Sequence, residues 1–255
     1  MKILITLLVH ESNDCIIDLI ENINKFIKDP IIVLHVNPEF KDFQIEKYNE
    51  KYNVYINPNR FIYRYYDTMI GHHLSNINYI LSIGITFEYV IFLASNVLFI
   101  KKNIENYIKN YDCGFFNIRP YNEVCKQYDF INYKNTLKKL REKIPSLGEF
   151  KYISNIEGTF MNNSIYQKTY EILKDIYLPN EYNDTHQEEF VFPLLLSHFT
   201  NNLSNGICYF DLKKVKLDIY DINYVLEKHS DYYCVKRISR DINDSARLYI
   251  KNHIN

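Results

Sequence analysis

The sequence has no tryptophan and little glycine or proline, with 6 Gly and 7 Pro among 255 residues. So little glycine excludes collagen-like and other glycine-rich architectures. Long apolar runs are also missing, because the first one ends at His10, well short of the about 20 residues that a membrane helix needs. We therefore expect no secretory signal, no membrane span and a cytoplasmic location.

The cysteines do not form a recognisable metal site or disulfide framework. They are odd in number, widely scattered and without any CxxC pair. The five positions are Cys15, Cys113, Cys125, Cys208 and Cys234. This pattern favours a reducing compartment and excludes a structural zinc site.

Positive and negative charges nearly cancel in this chain. The 30 Lys and Arg residues stand against 31 Asp and Glu, which gives a formal net charge of -1. No overall positive field is available to attract nucleic acid or an anionic membrane. We therefore expect no nucleic-acid partner.

Several catalytic motifs are absent, namely GxGxxG, GxxxxGK[ST], GxSxG and HExxH. Two acidic residues separated by one position do not occur either, so the chain has no DxD pair. In many sugar-nucleotide transferases such a pair holds the divalent ion that neutralises the donor diphosphate. A sugar-nucleotide enzyme with this sequence needs positive charge from another source.

What the sequence does contain is an alternation of short apolar runs and stretches whose apolar residues recur at helical spacing. This alternation predicts an α/β protein with βαβ units around a mostly parallel sheet flanked by helices. The predicted strands are residues 3–9, 31–36, 54–56, 89–93 and 113–116. The predicted helices between them are residues 16–27 and 74–81.

The second half of the chain predicts further helices and one more strand. Two capping boxes, which begin at Ser164 and Thr185, mark helix starts. The predicted elements are an exposed Lys-rich helix within 119–150, helices through 176 and 199, a strand at 232–238 and a last helix at 244–250. No repeat or linker interrupts the sequence, so we predict a single domain over residues 1–255.

Four sets of short segments occur in an order that resembles one enzyme family. They are LLVH at 7–10 with VLHVN at 33–37, NVYINPNR at 53–60 with YVIFLASN at 89–96, EGTF at 157–160, and QEEF at 187–190 with VKR at 235–237. Together these segments resemble the core-2/I-branching β-1,6-N-acetylglucosaminyltransferase family, which includes the peptide O-xylosyltransferases. Asn37 stands where that family usually has Asp, and the chain lacks the tryptophan of the family's "GSxW" motif.

The resemblance implies a GT-A type fold and a metal-independent inverting glycosyltransferase. It implies a UDP-sugar donor, with UDP-GlcNAc or UDP-xylose favoured, a glycan or other hydroxyl acceptor, and no cofactor. Residues 1–118 then form the nucleotide-binding half and residues 119–255 the acceptor and catalytic half. Two alternatives stay open: a catalytically silent nucleotide- or sugar-binding protein with the same fold, and a metal-dependent GT-A transferase of another family.

The catalytic candidates are two adjacent carboxylates, Glu188 and Glu189. An inverting transfer needs one carboxylate to take the proton from the attacking hydroxyl. Glu189 matches the glutamate of the family's "PDE" motif, and a position in the first turn of a helix favours its ionised form. Glu188 is the rival, because it is also the last residue of the predicted capping box.

The donor-site candidates follow from two ideas. Open parallel sheets bind ligands at the carboxyl ends of their strands, and Lys236 matches the family's diphosphate-binding lysine. The predicted donor-binding residues are His10, Glu11, Asn37, Arg60, Ser95, Asn96, Lys236, Arg237 and Arg240, with Arg247 as a further source of charge. At strand period, Lys236 and Arg237 are expected to point to opposite faces, so that one of them faces the site.

The acceptor-site candidates are Glu157, Gly158 and Thr159, which match the family's acceptor-side motif. Gly158 has no side chain, so an acceptor sugar could approach its backbone closely. The neighbouring histidines His72 and His73 lie in a predicted helix, where both cannot face one metal ion. We therefore predict no histidine metal site.

Overall fold

A mostly parallel sheet lies at the centre of the computed structural model, which describes residues 1–10, 12–44, 51–62, 69–115, 119–120, 130–149, 152–177 and 187–254. The strands are β1 (Ile3–Val9), β2 (Ile31–Val36), β3 (Val54–Ile56), β4 (Tyr89–Ala94), β5 (Val97–Phe99), β6 (Cys113–Phe115), β7 (Arg119–Pro120), β8 (Tyr152–Ile153), β9 (Phe160–Asn162), β10 (Leu203–Asn205), β11 (Cys208–Tyr209) and β12 (Cys234–Lys236). The helices are α1 (Asn13–Phe26), α2 (Ile70–Ser82), α3 (Ile104–Ile108), α4 (Phe130–Lys143), α5 (Asn163–Tyr177), α6 (Glu188–Phe199), α7 (Ile219–Lys228) and α8 (Ser245–His253).

Seven of the described strands form the main sheet, in the order β10-β6-β9-β4-β1-β2-β3. Strands β1, β2, β3 and β4 pair in parallel, whereas β9 runs antiparallel to both β4 and β6. The predicted α/β class with a mostly parallel sheet is confirmed. Strands from both predicted halves of the chain take part in this sheet.

The central strands β1 and β2 are apolar except for Thr6 and His35, as expected where both faces of a sheet are covered. Every residue of β1 and β2 is buried, as expected for parallel strands with helices on either side. Leu7 and its alternate neighbours pack with α1, α7 and α8, while Leu4 and Phe92 pack with α2, α5 and α6. Because successive side chains of a strand point to opposite faces, the sheet separates two hydrophobic cores.

A second, smaller sheet has the order β11-β12-β5. Strand β5 begins directly after the turn Ser95–Asn96 that ends β4, so the chain leaves the main sheet at this turn. Strand β12 runs antiparallel to β5, with Lys236 opposite Val97. This pairing brings residues from the end of the sequence against the end of β4.

Some predicted elements differ in detail from the structure. Helix α4 was expected to be exposed, but it buries Leu137 and Leu140 and so packs against the second core. At the start of α5 the side chain of Asn162 accepts a hydrogen bond from the Ile165 N–H, so Asn162 rather than Ser164 caps this helix. Helix α6 begins at Glu188, and Thr185 lies outside the described residues.

The helices of the described part of the chain include none that is both long and apolar enough to cross a bilayer.

Candidate functional site

The carboxyl ends of β1, β2 and β4 lie side by side at one edge of the main sheet, because these strands are parallel neighbours. His10 follows β1, Asn37 follows β2 and Ser95 follows β4. Strand β9 is antiparallel to β4, so the residues that precede β9 reach the same edge. The structure therefore brings predicted donor and acceptor residues together at the place where open α/β sheets bind ligands.

Hydrogen bonds from backbone N–H groups hold the turns at this edge of the main sheet. The Asn37 N–H donates to the Val9 carbonyl over 3.1 Å, and the Asn37 side chain accepts from the Glu39 N–H over 3.1 Å. At the β4–β5 turn, Ser95 is buried and the Asn96 carbonyl accepts from the Ile238 N–H over 3.2 Å. Asn37 thus shapes the turn after β2, while Asn96 binds the C-terminal segment.

Lys236 is the basic residue held most directly at this edge. Its ammonium lies 2.7 Å from a carboxylate oxygen of Glu157 and 5.0 Å from the ring centroid of Phe210. The Lys236 side chain is 20% exposed and that of Glu157 is 7% exposed, so the pair is shielded yet open on the lysine side. A predicted donor residue and a predicted acceptor residue therefore form one ion pair.

The expectation that Lys236 and Arg237 point to opposite faces of a strand is wrong. Strand β12 ends at Lys236 because Arg237 adopts a positive φ of 69°, which breaks the alternation. The Arg237 guanidinium lies 4.4 Å from the same Phe210 ring and donates to the carbonyls of Asp211, Leu212 and Lys214. The N–H groups of the Arg237 guanidinium thus hold the loop that follows β11.

Arg240 and Arg247 have different environments. The Arg240 guanidinium lies 3.4 Å from His10 Nε2, at the end of β1, so it belongs to the candidate site. Arg247, in α8, is fully buried, and its guanidinium donates to Asp18 of α1 over 2.5 Å and to the Ser239 carbonyl. The suggestion that Arg247 adds charge to a donor site is wrong, because its charge is used inside the protein.

The two candidate bases also differ. Glu188 is buried and its carboxylate accepts from the Met69 N–H, next to the first turn of α2, over 3.2 Å. Glu189 is half-buried, and its backbone carbonyl accepts from the Ser154 N–H over 2.9 Å. That bond ties the start of α6 to the segment that leads to Glu157. Glu188 thus links two helices, whereas Glu189 lies beside the acceptor-side loop.

The remaining predicted donor residues are Arg60 and Glu11. The Arg60 guanidinium lies 5.9 Å from the ring centroid of Phe43. The next residue, Phe61, donates its N–H to His35 Nε2 over 3.0 Å, which ties the chain after β3 to the carboxyl end of β2. Glu11 lies outside the described residues.

Gly158 and Thr159 shape the acceptor-side loop from within the protein. Gly158 has a φ of +78°, and a Cβ at this position would lie 2.4 Å from Cys208 Cβ. Thr159 is buried, and its hydroxyl donates to the Asn155 carbonyl over 3.4 Å. The space that the missing side chain leaves is therefore filled by β11, not kept for an acceptor sugar on that side.

Replacing Gly158 with alanine is expected to destabilise the fold by about 2–5 kcal/mol. A non-glycine residue at positive φ costs about 1–2 kcal/mol, and overpacking a filled core costs about 1–3 kcal/mol. Urea denaturation measures the change in free energy of unfolding. Gly84→Ala is the matched control, because Gly84 has a similar positive φ of +79° and nothing lies within 4 Å of the position that its new Cβ would take. Equal stability of the two variants would show that Cys208 does not confine Gly158.

A buried polar network under the site edge was not predicted from the sequence. His73 Nδ1 lies 2.9 Å from Thr6 Oγ1, which also accepts from the Asn76 side chain over 3.1 Å. Burial is the main reason that the pKa of His35 is lowered to about 3 and that the pKa of His73 falls well below its usual value. Both rings are therefore neutral at pH 7. The sequence signals for these buried polar groups are Thr6 and His35, two polar residues inside otherwise apolar strands.

Phe210 was also missed, because nothing in the sequence separates this ring from the other Phe and Tyr residues. Only the fold shows that it contacts both Lys236 and Arg237. Among the described residues, no group of three or more His, Cys, Asp or Glu side chains is placed to hold a metal ion.

Comparisons with known proteins give one sequence relative and several structural neighbours. Chondroitin synthase from Pasteurella multocida (strain Pm70) is 29% identical over 147 residues, which cover 54% of this chain and 15% of the synthase. The chain thus spans a small part of that relative's length. No family model matches the sequence.

Two solved structures share a low similarity with this chain. The glycosyltransferase GlyE of Streptococcus pneumoniae TIGR4 has a TM-score of 0.40 and 12% identity, over 93% of this chain and 55% of that chain. A glycosyltransferase involved in the glycosylation of the major capsid of PBCV-1 has a TM-score of 0.43 and 12% identity, over 99% of this chain and 98% of that chain. Both TM-scores lie below 0.5. The resemblance to the core-2/I-branching family stays a prediction.

Proposed function

We propose that this protein is an inverting glycosyltransferase of GT-A type that transfers a sugar from a UDP-sugar to a hydroxyl group. The observation that carries the proposal is the position of Lys236 beside the β4–β5 turn, at the carboxyl edge of a parallel sheet. A cation at this place can stabilise the diphosphate that leaves when the glycosidic bond breaks. The sequence relative, a chondroitin synthase, also supports sugar transfer.

In this proposal the donor lies across the ends of β1, β2 and β4. Asn37 and His10 lie where the nucleoside would bind, with Arg240 next to His10. Ser95 and Asn96 lie where hydroxyls of the ribose or the sugar would bind, and Lys236 faces the diphosphate. UDP-GlcNAc and UDP-xylose are the donors that we favour, because the four sequence segments resemble a family that uses them.

The acceptor is proposed to approach from the loop that carries Glu157. Glu189, in the first turn of α6, takes the proton from the attacking hydroxyl. The hydrogen bond between Ser154 and Glu189 places this helix start next to the acceptor-side loop. A glycan acceptor is favoured, because the sequence relative is named as the synthase of a glycan.

Metal independence is proposed from the side chains at the turn itself. Ser95 and Asn96 follow β4, where carboxylates would be needed to hold a divalent ion against a diphosphate. Lys236 lies next to this turn and supplies positive charge without a metal ion. We therefore expect the reaction to proceed in the presence of EDTA.

A nucleotide-sugar screen tests the proposal. UDP-GlcNAc, UDP-xylose and UDP-glucose are added separately, with Mn²⁺ or with EDTA, and both thermal stability and UDP release are measured. A donor at a hundred times its Kd should stabilise the fold by about 2.7 kcal/mol, equally with and without metal.

Each alternative has its own outcome in this screen. Stabilisation and turnover that disappear with EDTA would indicate a metal-dependent transferase. Stabilisation without any transfer or hydrolysis would indicate a silent binding protein. A lack of stabilisation by every nucleotide sugar would overturn the proposed function.

A further inference from the structure

The Glu157–Lys236 ion pair lies between two parts of the backbone that are held in place. Gly158 donates its N–H to the Phe92 carbonyl and accepts from the Ile207 N–H, and Cys208 fills the space beside it. Lys236 belongs to β12, which is paired with β5 on one side and β11 on the other. Neither backbone can move away easily, so any change in this contact must come from the side chains.

Of the two side chains, that of Lys236 is better able to move. The Lys236 ammonium is carried by a flexible four-carbon stem, and this side chain is 20% exposed. The Glu157 side chain is 7% exposed, and Glu157 directly precedes Gly158, whose backbone is fixed in a turn. The Phe210 ring, 5.0 Å from the ammonium, supplies a second favourable contact for the cation. A small rotation of Lys236 can therefore exchange one anion for another.

We propose that the donor diphosphate displaces Glu157 from Lys236, and that the released Glu157 carboxylate then accepts a hydrogen bond from the acceptor. This inference rests on the proposed function. A buried carboxylate without its counter-ion is costly, so an acceptor hydroxyl that donates to it relieves that cost. The exchange makes the acceptor site complete only after the donor has bound, and Glu157 thus acts as a positioning residue for both substrates.

The exchange predicts that removing the carboxylate strengthens diphosphate binding. In Glu157→Gln, Lys236 does not have to break an ion pair when a diphosphate binds. Inorganic pyrophosphate and UDP should therefore bind to this variant about threefold to tenfold more tightly than to the wild type. Loss of a merely structural contact would weaken binding instead. Isothermal titration calorimetry of both ligands, with the full chain, measures the change.

A double-mutant cycle separates exchange from simple charge repulsion. Lys236→Met should weaken pyrophosphate binding at least tenfold, and adding Glu157→Gln to it should then have no further effect. Tighter binding from Glu157→Gln in the Lys236→Met background would overturn the exchange, because Glu157 would then oppose the ligand by direct charge repulsion and not by competing with it for the lysine. Asp175→Asn is the matched control, since it removes an exposed carboxylate that pairs with Lys143 over 2.5 Å, and it should leave both affinities unchanged.

The other outcomes are also decisive. If Glu157→Gln does not fold, Glu157→Asp keeps the charge but shortens its reach, and it should show the same tightening to a smaller extent. Unchanged or weaker binding in these variants, with normal wild-type binding, overturns the exchange alone. A wild type that binds neither pyrophosphate nor UDP overturns the proposed function as well.

Discussion

Glu189→Gln is expected to lower the rate of sugar transfer by about 10²–10⁴-fold while UDP binding stays within about twofold of the wild type. Glutamine has the same shape but cannot take a proton from the acceptor hydroxyl. General-base catalysis contributes about 10²–10⁴-fold in rate, so a loss of that size is expected in kcat. UDP release in the presence of acceptor measures kcat, and calorimetry with UDP measures binding.

Glu188→Gln is the neighbouring control. Its amide oxygen can still accept from the Met69 N–H, so the link between α6 and α2 is kept and transfer should continue. The reverse result, with Glu188→Gln inactive and Glu189→Gln active, would assign the base to Glu188. Normal turnover in both variants would exclude this pair from proton transfer.

Asp18→Ala is expected to destabilise the fold by about 3–5 kcal/mol, because it leaves the buried Arg247 guanidinium without its carboxylate. Arg247 is 0% exposed, and the Ser239 carbonyl is too weak a partner to compensate a full charge. For a chain of this length each kcal/mol shifts Tm by about 2–4 °C, so a fall on the order of 10 °C is expected. Thermal and urea denaturation measure it.

The effect should depend on which partner is removed. Arg247→Met should cost less than Asp18→Ala, because the Lys251 ammonium still lies 3.4 Å from Asp18. The double variant Asp18→Leu/Arg247→Met should recover much of the lost stability, since an apolar pair can replace a buried ion pair. Glu171→Ala breaks an exposed pair with Lys174 and should cost under about 1 kcal/mol. If Asp18→Ala costs no more than this control, water reaches Arg247.

The central strands could be predicted well from the sequence. The bounds of β1, β2 and β3 match the predicted ranges, because buried parallel strands are continuous apolar runs that end at polar residues or turns. The placement of His10, Asn37 and Ser95 at one edge followed from the same rule. Local pattern and chain order were sufficient for these features.

The environments of the cationic side chains could not be predicted, because they depend on backbone torsion and on distant partners. Nothing local to Arg237 indicates the positive φ that ends β12. Arg247 occurs in an apolar-polar helical pattern like any surface arginine, and its partner Asp18 lies near the other end of the sequence. The same holds for Gly158, whose neighbour Cys208 belongs to a different strand.

The pairing of β5 with β12 has a consequence for the order in which the site can form. A chain synthesised as far as β10 contains every described strand of the main sheet, but not yet Lys236 or Arg240. The cations that Lys236 and Arg240 supply are therefore added late, through a contact of large sequence separation that forms slowly. A donor held by Lys236 would therefore stabilise only the completed fold. It would not stabilise the incomplete chain during synthesis on the ribosome.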